Sequence, residues 1–183
     1  MKITGFIFAA GLGTRPYPLT ASKPKALVRY NNKTLLDNAL EKMSEAGITD
    51  VIVNVHHFPD MMVETLRHHP NAAHIHISDE RAYLRDTAGG IKFAEHLWQN
   101  SDLLLFYNVD ILSDINLNTL IDSHIKSRAD ATLAVRHRQP NVISCSTRTA
   151  DGSADGATSR QAKRLSRGLL KMQTSWLSAE STL

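Results

Sequence analysis

At 183 residues the chain is long enough for one domain with a real core, and its 42% hydrophobic and 21% charged residues are those of a globular protein. No run approaches the roughly 20 apolar residues of a membrane span, Lys2 leads only a short apolar stretch unlike a signal peptide, and the lone Cys145 excludes an internal disulfide or a cysteine-based zinc cluster. The formal charge of +3 is confined to the tail, because residues 1–139 carry 15 Lys/Arg and 15 Asp/Glu; the expectation is a cytoplasmic protein with no nucleic-acid partner and no membrane association.

Ile3–Ala9 opens the chain as an apolar, strand-like run. It empties into Ala10-Gly11-Leu12-Gly13-Thr14-Arg15, followed by Pro16-Tyr17-Pro18-Leu19-Thr20 and Lys23-Pro24-Lys25. Gly11 and Gly13 permit unusual backbone angles and a close approach of N–H groups to a polyanion. Arg15 offers a planar fork for phosphate oxygens. Pro24 biases Lys23 towards extended backbone, where side chains two apart face the same way, so Lys23 and Lys25 are expected on one side. Taken singly these cations are ordinary solvated charges of a βα loop; their fixed order points to a nucleoside triphosphate.

Thr34–Ala46 has helical periodicity through Leu35, Leu36, Ala39, Leu40 and Met43, and Gly47 caps its end. Val51–Val55 is the second strand. It ends in Asn54-Val55-His56-His57, where adjacent histidines face opposite sides and no further ligand stands at metal-site spacing, so zinc is not expected. Helix-like Asp60–His69 and strand-like Ile75–Ile77 lead to Asp79-Glu80-Arg81 and Asp86-Thr87-Ala88-Gly89-Gly90, which reads at its plainest as a loop-to-helix start capped by Thr87. Gly89–Trp98 is helical in pattern. Leu103–Tyr107 is a strand that delivers Asn108-Val109-Asp110 to its carboxyl end. On spacing alone Asp110 is a turn or N-cap residue, although magnesium is often held by one or two carboxylates plus phosphates. Asn116–Ser127 and Ala131–Val135 add a helix and a strand.

Strands alternating with helices predict an α/β fold with a mostly parallel sheet covered on both faces, three layers in all. Such sheets bind ligands beyond the carboxyl ends of their strands, where both Gly11–Lys25 and Asn108–Asp110 fall. The pattern breaks after Gln139. Residues 140–183 hold 13 Ser/Thr in 44, against 16 in the preceding 139. No strand-like alternation continues there, and Arg160–Met172 is at most one helix with Leu165, Leu169 and Met172 on a face. The chain therefore divides into a nucleotide-binding part, 1–139, and an atypical tail, 140–183, expected to pack poorly.

Ala9-Ala10-Gly11-Leu12-Gly13-Thr14-Arg15, then Pro18-Leu19-Thr20, then Lys23-Pro24-Lys25-Ala26-Leu27-Val28 closely resembles the signature of the sugar-1-phosphate nucleotidylyltransferases. A dinucleotide-binding fingerprint would need a third glycine near Pro16, and a P-loop would need Gly-Lys-Ser/Thr; neither is present. The resemblance runs over about residues 2–138 and implies a Rossmann-like nucleotide-diphospho-sugar transferase sheet, incomplete at the C-terminus. It also implies an enzyme that joins a nucleoside triphosphate to a sugar 1-phosphate and releases pyrophosphate, with Mg²⁺ as cofactor. Carried over by position, Ala10, Gly11, Gly13 and Thr14 correspond to the triphosphate loop and Arg15 to the contact with the leaving pyrophosphate. Lys23 and Asn108 join the nucleotide site, and Lys25 corresponds to the lysine between the α-phosphate and the incoming sugar phosphate. Glu80 and Gly89 correspond to base contacts and Asp110 to the Mg²⁺ ligand. Pro16-Tyr17 departs from the family's usual pair. Asn54-x-His56-His57 resembles the subgroup that makes UDP-N-acetylmuramic acid or GDP-heptose precursors, and the chain as a whole resembles the N-acetylmuramate-1-phosphate uridylyltransferase and mannose- or heptose-1-phosphate guanylyltransferase branch. The family's sugar-binding Glu-Lys segment and second metal aspartate have no counterpart in 140–183, and the abrupt change of composition there is what a shifted reading frame would produce, so the expectation is a chain truncated, frameshifted or otherwise aberrant beyond about residue 139. A non-catalytic nucleotide sensor and a phosphocholine-type acceptor are the alternatives.

Overall fold

The structure, a computed structural model, describes residues 1–14, 16–135 and the backbone of 169–172. Strand β1 (Ile3–Phe8) leads through the glycine loop and a short 3₁₀ turn, Lys25–Leu27, into a hairpin of β2 (Arg29–Tyr30) and β3 (Lys33–Thr34). That hairpin turns on Asn31 and Asn32, both left-handed at φ 48° and 67°, a conformation asparagine tolerates better than most residues. Helix α1 (Leu35–Glu45) follows, closed at its start by a capping box in which Thr34 and Asp37 exchange hydrogen bonds. Then come β4 (Val51–Val55), α2 (Pro59–Arg67), β5 (Ile75–Asp79), α3 (Asp86–Phe93), α4 (Glu95–Trp98), β6 (Leu103–Asn108), α5 (Leu117–Ser127), β7 (Ala131–Ala134) and β8 (Leu169–Met172).

The main sheet has six strands in the order β5-β4-β1-β6-β8-β7, and each adjacent pair is parallel. Alternation along the strands sorts the core into two. Ile7, Val53, Leu105 and Tyr107 pack with α1, α2 and α5 on one face. Phe6, Ile52, Leu104 and Phe106 pack with Ile91, Ala94 and Trp98 of α3–α4 on the other. This is the three-layer α/β arrangement the periodicities predict, because a strand buried on both sides must be apolar at odd and even positions alike.

Two expectations are corrected. The helical stretch near Gly89–Trp98 begins earlier, at Asp86, and breaks at Ala94 into α3 and α4; Thr87 thus lies inside the helix, with Arg85 at the cap. Of the helix suggested over Arg160–Met172, the last four residues, Leu169–Met172, are a strand instead, seated between β6 and β7, while 160–168 lie outside the described residues. Sheet partners on both sides override a weak helical pattern in so short a segment. The rest of the tail lies outside the described residues.

Candidate functional site

A cavity of about 260 Å³ opens at the carboxyl ends of β1, β4 and β6. Its walls are Phe8 to Gly11 after β1, Lys25 from the 3₁₀ turn, Asn54 from β4, Leu84, Asp86 and Thr87 at the head of α3, and Asn108 to Asp110 after β6. Lys25 Nζ donates to Asp110 Oδ2 across this cavity, joining residues 85 positions apart. Both side chains are about a quarter to a third exposed, so each remains within reach of a ligand.

The backbone around that pair is held in place. Val109 N donates to Phe8 O at 3.2 Å and extends the β1–β6 ladder past both strand ends. Tyr107, 2% exposed, donates its hydroxyl to Ile111 O at 2.9 Å and so clamps the turn that presents Asp110. Burial pushes the Tyr107 phenol above its ordinary range, which keeps that hydroxyl a donor. On the loop, Gly13 takes φ +65°, and a Cβ there would stand 3.0 Å from Thr20 Cγ2. Thr20, itself buried, donates to Gly13 O at 2.6 Å. Gly11 is the opposite case: it lines the cavity, and a Cβ there would meet nothing within 4 Å.

The sequence profile of the nucleotidyl transferase family matches residues 4–142. The chain belongs to the nucleotidyl transferase family. It is 34% identical over 141 residues to the mannose-1-phosphate guanyltransferase of Yarrowia lipolytica, covering 75% of this chain and 39% of that protein. It is 45% identical over 91 residues to the N-acetylmuramate alpha-1-phosphate uridylyltransferase of Caulobacter vibrioides, covering 48% and 38% respectively. The chain thus spans about two-fifths of the length of these relatives. Among solved structures, the CTP:phosphocholine cytidylyltransferase of Streptococcus pneumoniae matches with a TM-score of 0.49 at 26% identity, over 65% of this chain and 50% of that one. The family match ends three residues past the compositional break at Gln139.

The cavity gathers some of the predicted residues and leaves others out. Ala10, Gly11, Lys25, Asn108 and Asp110 share its wall. Gly13 and Thr14 continue the loop just beyond, Thr14 exposed. Arg15 lies outside the described residues. Lys23 is exposed and off the wall, because Lys25 begins a 3₁₀ turn and the two-residue alternation of an extended segment ends there. Glu80 does not face the cavity either. It is 2% exposed, its Oε1 accepting from Asn54 Nδ2 at 2.9 Å and its Oε2 from Arg85 N at 3.2 Å. Gly89 sits within α3, away from the wall; Asp86 and Thr87 of the same motif line it instead.

Among the described residues no three His, Cys, Asp or Glu side chains form a metal cluster. His56 Nδ1 bonds Glu80 O at 2.8 Å and the His57 ring packs edge-on against Phe58 at 4.3 Å. Asp110 and Asp86 are the two carboxylates among the cavity's wall residues, and of these Asp110 is the one paired with Lys25. That donor set does not suit a metal held by protein alone, but it fits an ion shared between one or two carboxylates and the phosphates of a ligand. Asn54, Leu84, Asp86 and Thr87 line the wall as well, beyond the candidates that the family signature supplies. The signal for Asn54 was present, as a polar residue at the end of an otherwise apolar strand.

Proposed function

We propose that this chain carries the nucleotide half of a nucleotidyltransferase that moves a nucleoside monophosphate from a nucleoside triphosphate to a sugar 1-phosphate. The observation that supports it is the meeting of Lys25 and Asp110 beside the open face of Gly11. Lys25 is the one cation among the described wall residues, and Asp86 puts a carboxylate at the far wall. A nucleoside triphosphate suits that polarity with its phosphates over Gly11 and Lys25 and its nucleoside towards Leu84–Thr87. In the reaction an oxygen of the sugar phosphate attacks the α-phosphorus. The bond from that phosphorus to the bridging oxygen of the β-phosphate breaks, and pyrophosphate leaves with the electron pair.

Both reactants are anions, so positioning and charge neutralisation are most of the catalysis. The Lys25 ammonium offsets charge between the two phosphates, and the Gly11 backbone approaches phosphate oxygens without side-chain interference. Asp110 would hold Mg²⁺, which when bound neutralises phosphate charge. The relatives named as guanyltransferase and uridylyltransferase support a sugar 1-phosphate acceptor. A thermal-shift and calorimetric panel of UTP, GTP, CTP and dTTP with Mg²⁺ tests the nucleotide site, and pyrophosphate release with mannose, heptose and N-acetylmuramate 1-phosphates tests the transfer. Binding of one triphosphate that is lost in Lys25→Ala is the expected result. No response to any of the four overturns the proposal.

A further inference from the structure

Asn54 is 3% exposed, and every polar atom of its side chain is committed. Its Oδ1 accepts from Ala9 N at 2.8 Å and from Ala10 N at 3.3 Å. Its Nδ2 donates to Glu80 Oε1 at 2.9 Å. Two donors on one side and a carboxylate on the other allow only one orientation of the amide. Consecutive N–H groups of a strand point opposite ways. Ala9 and Ala10 both turn to one acceptor, so this is where the chain leaves β1 and swings Gly11 along the cavity.

The Glu80 carboxylate passes the constraint onward. Oε2 accepts from Arg85 N at 3.2 Å, one residue before Asp86. Glu80 itself is anchored by its N–H to Val55 O at 2.8 Å. Helix α3 closes against the same pair: a Cβ on Gly90 would stand 2.7 Å from Glu80 Oε1 and 3.3 Å from Asn54 Nδ2. The wall segment Leu84–Thr87 is thereby pinned at Arg85 and, through α3, at Gly90.

We propose that Asn54 is a positioning residue of the nucleotide site, joined through Glu80 so that one buried amide–carboxylate pair sets the spacing between the phosphate loop and the nucleoside wall. The inference rests on the function proposed above. It assigns Glu80 an indirect role and makes the pair, rather than either residue, the functional unit.

A reciprocal exchange tests it. In Asn54→Asp two carboxylates face each other, and in Glu80→Gln one of the two amide donors loses its acceptor. Each single variant is expected to bind the nucleotide chosen in the panel about tenfold more weakly or worse. In the double variant Asn54→Asp/Glu80→Gln the aspartate accepts from Ala9 and Ala10 and from the new amide, whose oxygen accepts from Arg85 N. All four bonds are restored at unchanged net charge, and affinity is expected to return to within about threefold of the parent. Magnesium tripolyphosphate, which lacks a nucleoside, should bind the single variants with a much smaller loss. Titrations are run well below each variant's melting temperature. Single variants that melt earlier yet bind nucleotide like the parent, or a double variant with no recovery, overturn the positioning role. A parent that binds no triphosphate overturns the proposed function itself, and the two failures are thus told apart.

Discussion

Lys25 and Asp110 form an ion pair across the carboxyl ends of β1 and β6, each supplied by a different loop. The pair brings a cation and an anion together at the place where a phosphate and its counter-ion are proposed to sit. Removing Asp110 should therefore have opposite consequences for binding and for turnover, whereas removing Lys25 should cost both.

Asp110→Asn takes a negative charge off the cavity wall and releases Lys25. Nucleotide binding without metal is expected to tighten, by roughly threefold to tenfold, while pyrophosphate release with metal falls by about 10²-fold or more. Lys25→Ala is expected to lose both. Calorimetry with and without Mg²⁺, beside a pyrophosphate-release assay, checks the split. Equal weakening of metal-free binding in both variants contradicts the electrostatic account.

The two loop glycines should separate stability from binding. Gly13→Ala forces a side chain into left-handed backbone against Thr20, at a cost of about 1–2 kcal/mol. Gly11→Ala meets no protein atom and should leave the melting temperature nearly unchanged, yet weaken triphosphate binding. Denaturation curves and titrations on both variants read this out.

Gly90→Ala drives a methyl group into the Glu80 carboxylate. It is expected to destabilise by roughly 1–3 kcal/mol and to alter the fluorescence or exchange behaviour of the α3 region. Gly47→Ser makes a useful contrast, since a Cβ at Gly47 would touch nothing and only its φ of +74° is at stake.

Phe106 is fully buried, with its ring 5.7 Å from Phe6 and 5.8 Å from Phe8. Truncation to alanine leaves a cavity beneath α3–α4 that rigid strands cannot close, so Phe106→Ala should cost about 3–5 kcal/mol in chemical denaturation. A loss below about 1 kcal/mol contradicts this packing.

At the opposite end of the sheet, Asp50 lies 3.3 Å from Lys2 Nζ and 3.7 Å from His76 Nε2. Partial burial opposes its ionisation, but the Lys2 and His76 contacts outweigh that and hold the carboxyl below its ordinary 3.8. A lowered folded value means the stabilisation is fully present above the unfolded value and is lost as pH falls through the folded one. Asp50→Asn should therefore lower stability slightly at pH 7, within the 1 kcal/mol or so of a screened surface pair. The difference from the parent should vanish in strong acid. Melts of both proteins from pH 7 downwards measure it.

The alternation of apolar runs with amphipathic stretches was enough, by itself, to determine the order of the main strands and helices up to Ala134 and the three-layer α/β class, because periods of two and of 3.6 are local properties of the chain. The glycine loop and Lys23-Pro24-Lys25 likewise marked one end of the site and the family. What only the tertiary structure decided is who shares the wall. Lys25 faces Asp110 because β1 and β6 are neighbours in the sheet, Lys23 falls away because a 3₁₀ turn interrupts its alternation, and Glu80 is withdrawn beneath the surface by Asn54 and Arg85. Leu169–Met172 becomes a strand for the same kind of reason, since β6 and β7 supply ladders on both sides. Contacts between segments tens of residues apart depend on how strands are ordered and loops are closed, and neither leaves a period in the sequence.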